Sequence, residues 1–128
     1  MKAEELRIGN WIYDKNNKPQ QVDEIKRHIS CERDYAHIIL FKGFNFANGY
    51  VEDMQPIPLT PEILEKCGFV KELITGSNNT YWYHYGELSY NESHQGWWYK
   101  GRFRDIHFLH DLQNIVHSLT QTELNPKL

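Results

Sequence analysis

Between Tyr81 and Phe108 lie ten of the chain's eighteen aromatic residues, and three cations, Lys100, Arg102 and Arg104, follow Trp98 at every second position. Alternate residues of a pleated strand share a face. Read as one strand, residues 97–104 point Trp98, Lys100, Arg102 and Arg104 one way and Trp97, Tyr99 and Phe103 the other. With Tyr81, Tyr83 and Tyr85 turned inward beside the second group, Trp82 and His84 join the first. Flat rings stack on nucleobases and guanidinium groups hold phosphates, each stacked base contributing roughly 1–3 kcal/mol. An outward face of Trp82, His84, Trp98, Lys100, Arg102 and Arg104 is therefore the candidate binding surface. The same rings would stack on sugars or anchor a protein partner. Plain packing competes with all of these, because aromatic residues form strands well, pair across them, and would be covered if Trp82 or Trp98 lay under the C-terminal helix. Packing is the favoured account of the rings in general. For the outward ones a protein partner ranks above single-stranded nucleic acid, and sugar comes last.

Other reactive side chains are less organised. His110 and His117 lie seven residues apart with Asn114 between them, so on one helix they share a face, with His107 three residues before His110. Zinc needs three or four convergent ligands, and neither a paired-cysteine motif nor HExxH is present, so a solvated polar face explains the spacing. Cys67 falls at the C-terminal end of a short helix, where the dipole disfavours thiolate, and Cys31 sits between Ser30 and Glu32 with no base indicated. The sequence has no nucleophile elbow, and residues 43–49 lack the lysine and spacing of a phosphate loop. Asp23-Glu24 and Glu52-Asp53 are adjacent, so on strands each pair splits between faces and cannot form a glycosidase pair alone. No catalytic residue, metal ligand or cofactor is assigned. An enzyme would need a pocket joining groups distant in sequence.

The framework that must position these residues reads as globular. The chain has 128 residues, 40% of them hydrophobic and 24% charged, a length and composition suited to one real core. The expectation is a single domain, 1–128, with two sub-lobes at about 1–55 and 56–128 as an alternative. A net charge of -3 is mild and both signs are mixed, so binding driven by bulk phosphate neutralisation is disfavoured. No apolar run approaches the ~20 residues that span a bilayer, and the N-terminus lacks a signal-peptide core, which points to a cytoplasmic protein. The two cysteines then read as reduced thiols.

Periodicity supplies the elements. Residues 8–14 and 21–29 flank a turn-forming stretch and suggest a hairpin; residues 36–42 are apolar on both sides, as for a central strand covered twice. A short strand follows at 50–54, and the Pro56-Ile57-Pro58-Leu59 run must be extended. Thr60 caps a short helix that begins with Pro61 and ends at Gly68 in a Schellman turn, burying Ile63, Leu64 and Cys67. Residues 70–74, 80–85, 88–90 and 97–104 look like an antiparallel meander, its links too short for parallel crossovers. From about Phe108 the period turns helical, with Leu109, Leu112, Val116 and Leu119 as the apolar stripe and His110, Gln113, Asn114 and His117 opposite it. Residues 121–128 are expected to fray. The fold class is α+β: antiparallel strands in two sets, with a short central helix and a C-terminal amphipathic helix, closure of the first set into a small barrel being left open by the sequence.

Three stretches occur in order: Leu6-Arg7-Ile8-Gly9-Asn10-Trp11-Ile12, Pro56-Ile57-Pro58-Leu59-Thr60-Pro61-Glu62-Ile63-Leu64 through Cys67-Gly68-Phe69, and Leu109-His110-Asp111-Leu112-Gln113-Asn114 through Leu119-Thr120. Together they resemble a group of small uncharacterised proteins encoded by phages, prophages and mobile elements of gut bacteria. The resemblance is weakest between Ile74 and Arg104, and Gln121 stands where that group often carries glycine. It implies a bacterial, cytosolic, mobile-element setting and brings no catalytic residues. The sequence thus favours a non-catalytic accessory or interaction protein with an unknown protein partner; single-stranded nucleic-acid binding is the alternative and a hidden enzyme site the third reading.

Overall fold

The computed structural model describes residues 1–28 and 36–128; Cys31 and the end of the second expected strand lie outside them. Among the described residues are two antiparallel sheets and two α-helices, α1 (Pro61–Lys66) and α2 (Leu109–Thr120), which is the α+β class expected. The chain divides into two compact units, Met1–Pro58 with Phe108–Glu123, and Leu59–His107 with Leu124–Leu128. Among the described residues no helix is long and apolar enough to cross a membrane.

The first unit holds strands β1 (Trp11–Tyr13), β2 (Pro19–His28), β3 (Ala36–Phe41) and β4 (Gly49–Tyr50), paired in that order. Asp14 builds the β1–β2 turn, its carboxylate accepting from the Asn16 and Lys18 backbone N–H groups and the Gln20 amide. Ile12, Val22, Ile39, Phe41, Val51 and Met54 form the core. The expectation that β3 is covered twice holds on one side only. Ile39 and Phe41 are buried, whereas Ile38 and Leu40 are half-buried. The expected strand at 50–54 is also shorter: β4 stops at Tyr50, and Val51–Asp53 form a 3-10 turn. Gln55 then exchanges backbone hydrogen bonds with Tyr13 at 2.9 and 3.3 Å, so the chain returns to the β1 edge and the sheet curls.

Helix α2 packs on β1 within this unit, and its N-terminal Leu109 N–H donates to the Ile57 carbonyl. Leu109, Leu112 and Val116 are buried as their spacing requires. His110 and Gln113 correct the periodicity: assigned to the solvent side, they are 1% and 0% exposed. The Gln113 carboxamide explains its own burial, since it accepts from Trp11 N–H at 2.8 Å and donates to the Gly9 carbonyl at 3.1 Å. A polar residue here supplies the acceptor for Trp11 N–H and a second donor to the Gly9 carbonyl, which Gln21 also bonds.

The second unit is a meander in strict order: β5 (Val70–Leu73), β6 (Tyr81–Tyr85), β7 (Leu88–Asn91), β8 (Gly96–Tyr99) and β9 (Arg102–Arg104). Helix α1 begins as its sequence requires, with Thr60 Oγ1 accepting from Ile63 N–H and Pro61 in the first turn. It ends in the expected Schellman pair: Gly68 N–H bonds Glu65 O and Phe69 N–H bonds Leu64 O, with Gly68 at φ +93°. Phe69 is thereby buried against Tyr85 (ring centroids 5.3 Å) and Trp97 (5.9 Å, near perpendicular). The terminal segment does not fray as expected. Leu124 and Pro126 are buried, and Lys127 N–H donates to Lys66 O at 3.0 Å, which caps the end of α1.

The most consequential correction concerns residues 97–104, which form a hairpin and not one strand. Lys100 (φ +50°) and Gly101 (φ +77°) make a two-residue turn of the kind whose twist suits a hairpin, and the chain reverses there. Trp98 then pairs with Phe103, Tyr99 with Arg102, and Trp97 with Arg104.

Candidate functional site

Directly opposed residues share a face, so the registers assign every side chain of the second sheet. One face carries Val70 and Glu72 from β5, Trp82 and His84 from β6, Ser89 and Asn91 from β7, Gly96 and Trp98 from β8, and Phe103 from β9. The other carries Tyr81, Tyr83, Tyr85, Leu88, Tyr90, Trp97 and Tyr99, together with Arg102 and Arg104. Tyr83, Leu88 and Trp97 make the second face the packed one. Burial pushes the Tyr83 and Tyr90 hydroxyls above the ordinary tyrosine value, with nearby Glu92 adding to it.

The expected surface is therefore divided. Trp82, His84 and Trp98 do come together on one face, with Lys100 at its rim. Arg102 and Arg104 lie on the opposite face, where the Arg104 guanidinium sits 5.9 Å from the Tyr99 ring. Phe103, assigned to the core with Trp97 and Tyr99, is instead 63% exposed beside Trp98. A turn of two residues shifts the strand parity, so every residue after Gly101 changes side.

The rings are ordered by their neighbours. Trp82 and His84, two apart on β6, lie parallel within 10° at 5.9 Å; Trp82 meets Trp98 edge-on at 6.0 Å, and Trp98 meets Phe103 edge-on at 5.8 Å. Such arrangements suit the aromatic quadrupole. Gly96 sets the pose of Trp98: a Cβ built there would fall 2.6 and 2.7 Å from the far edge of the indole, so the ring lies over a position only glycine leaves clear. His84 is fixed by a 2.7 Å hydrogen bond between its Nδ1 and Ser89 Oγ, and its Nε2 lies 3.5 Å from Glu72 Oε2. Lys100 Nζ lies 3.5 Å from Glu87 Oε2.

These side chains surround a shallow depression of about 630 Å³ lined by Glu72, Trp82, His84, Glu87, Ser89, Trp98, Lys100 and Gly101. Glu72, Glu87, Ser89 and Phe103 escaped the sequence reading. The available signal was the Lys100-Gly101 pair, because a residue followed by glycine between strand-like runs marks a hairpin turn. Comparison with protein-family models, with curated proteins and with solved structures found no match for this chain.

Two other chemistries can be placed. Among the described residues no three His, Cys, Asp or Glu side chains converge as a metal site. Of the two helix histidines, His110 is buried, while the His117 side chain is 40% exposed. Burial pushes the Cys67 thiol up to about 12, which leaves it protonated and inert near neutrality.

Proposed function

We propose that this chain is a non-catalytic interaction protein that binds a protein partner through the Trp82, Trp98 and Phe103 face of its second sheet. The carrying observation is that the half-buried Trp82 and Trp98 and the exposed Phe103 touch in series across the sheet, on the side of the meander opposite its buried Tyr83 and Trp97, and that the same side carries the 68% exposed Val70. Aromatic side chains dominate protein-interface energetics because they bury much area with few rotors to freeze. Single-stranded nucleic acid is a poorer match. It needs cations beside the rings, and Arg102 and Arg104 are across the sheet, while Lys100 at the rim already faces Glu87 and Glu72 adds a second carboxylate. The three stretches that resemble phage and mobile-element proteins support an accessory role in such a setting, in the cytoplasm. Selecting binders to the immobilised protein from a random-peptide display library, with Trp98→Ala in parallel, tests the reading. Binders that lose at least about tenfold in affinity on Trp98→Ala support it; a set of binders indifferent to Trp98 removes this face from consideration.

A further inference from the structure

Building on that assignment of the face, we propose that the depression beside Trp82 and Trp98 accepts an arginine side chain of the partner, flanked there by apolar residues. The correction of register is what gives the site this sign. With both arginines removed to the other face, the ionisable groups lining the depression are two carboxylates, one ammonium and one imidazole. The Glu72 and Glu87 side chains are 71% and 62% exposed, so an incoming group can reach each carboxylate beside its present neighbour, His84 or Lys100.

A guanidinium matches the remaining features. Its plane stacks on an indole, whose face is negative, and its edge offers paired N–H donors to a carboxylate. Trp82 and Trp98 supply rings, and Glu72 and Glu87 supply acceptors within the same depression. An ammonium gains the charge attraction but not the stacking or the fork, which favours arginine over lysine. Apolar neighbours of that arginine would cover Phe103 and Val70, the exposed apolar residues of the same face.

Lys100 gives the proposal a signed test. Its ammonium already sits 3.5 Å from Glu87, so it competes with a cationic ligand and would assist an anionic one. Two fluorescent probe peptides, alternating leucine with arginine and leucine with glutamate, would be titrated against the intact protein at about 0.15 M salt, where nonspecific attraction is screened. The arginine peptide is expected to bind, to weaken roughly three- to tenfold on combined Glu72→Gln and Glu87→Gln, and to tighten on Lys100→Ala. Preference for the glutamate peptide, weakening on Lys100→Ala, or no binding of the arginine peptide would overturn the proposal. The display selection separates its failure from that of the face itself. Peptides without basic residues that still depend on Trp98 would leave the contact surface standing and refute the arginine; binders indifferent to Trp98 would refute both.

Discussion

The Asn10 side-chain amide donates to the Asn114 side-chain oxygen at 2.9 Å, fastening the segment before β1 to the middle of α2. Asn114 in turn donates to the Glu5 carbonyl, Asn10 accepts from Arg7 N–H, and Gln113 bridges Trp11 and Gly9. Arg7 and Glu123 close the group with a paired salt bridge. Two of the stretches that carried the resemblance in the sequence thus meet as one polar lock. Gln113→Leu leaves Trp11 N–H buried without an acceptor, while Gly9 O keeps its bond from Gln21. The expected loss is roughly 1–3 kcal/mol, read as a lower urea midpoint at unchanged m-value.

His110 makes the first unit sensitive to acid. Its ring is 1% exposed, both ring nitrogens lack a hydrogen bond among the described residues, and Phe108 lies parallel to it at 6.0 Å. Burial holds its pKa below the ordinary histidine value, against the pull of Asp111, whose Oδ1 is 3.5 Å from Nε2, and of Glu5; the N-terminal amine acts with burial. Because the folded value is the lower one, the unfolded chain binds more protons, and stability present above the ordinary histidine pKa is lost as pH falls toward the folded value. Melting temperature is expected to drop between about pH 8 and pH 5 in the wild type and to stay flatter in His110→Leu. Glu123, held below its ordinary value by its hydrogen bond from Arg7, loses its contribution in the carboxylate range, at lower pH than this test uses. Equal slopes in the two proteins would contradict the assignment to His110.

Gly96→Ala should disturb the contact face more than the fold. Its backbone is not in the left-handed region, and the clash it creates is with the far edge of Trp98, a side chain that can turn away. The expected stability cost is about 1–2 kcal/mol, and a shift in tryptophan emission should accompany it as the indole leaves its place. Unfolding of the domain, or unchanged emission, would count against the described pose of Trp98.

Cys67 should be unreactive in the native protein. With its thiol held up to about 12 and the side chain buried, iodoacetamide at mildly alkaline pH is expected to leave the Cys67 peptide unmodified until urea is added, as followed by mass spectrometry. Rapid native labelling would mean that this end of α1 opens.

Much of the fold was legible because it is written in local rules. Thr60, Pro61 and Gly68 mark α1 through capping chemistry, and the strand–turn rhythm from Val70 to Tyr90 specifies the meander. Gln113 was not legible: its burial depends on backbone groups of Gly9 and Trp11, which periodicity does not see. The site was half legible. Alternation correctly grouped Trp82, His84 and Trp98, but treating Lys100-Gly101 as strand carried Arg102 and Arg104 to the wrong face and hid Phe103. A one-turn error in a period-two element inverts every assignment beyond it.

The central claim, that binding belongs to the tryptophan face and not to the arginine face, is tested most directly by titrating one selected peptide against wild type, Trp98→Ala and Arg102→Ala. Arg102 is exposed and lies opposite Tyr99, so its truncation should leave affinity unchanged, whereas Trp98→Ala should weaken binding by at least about tenfold. Equal losses in both variants, or a loss confined to Arg102→Ala, would contradict the account.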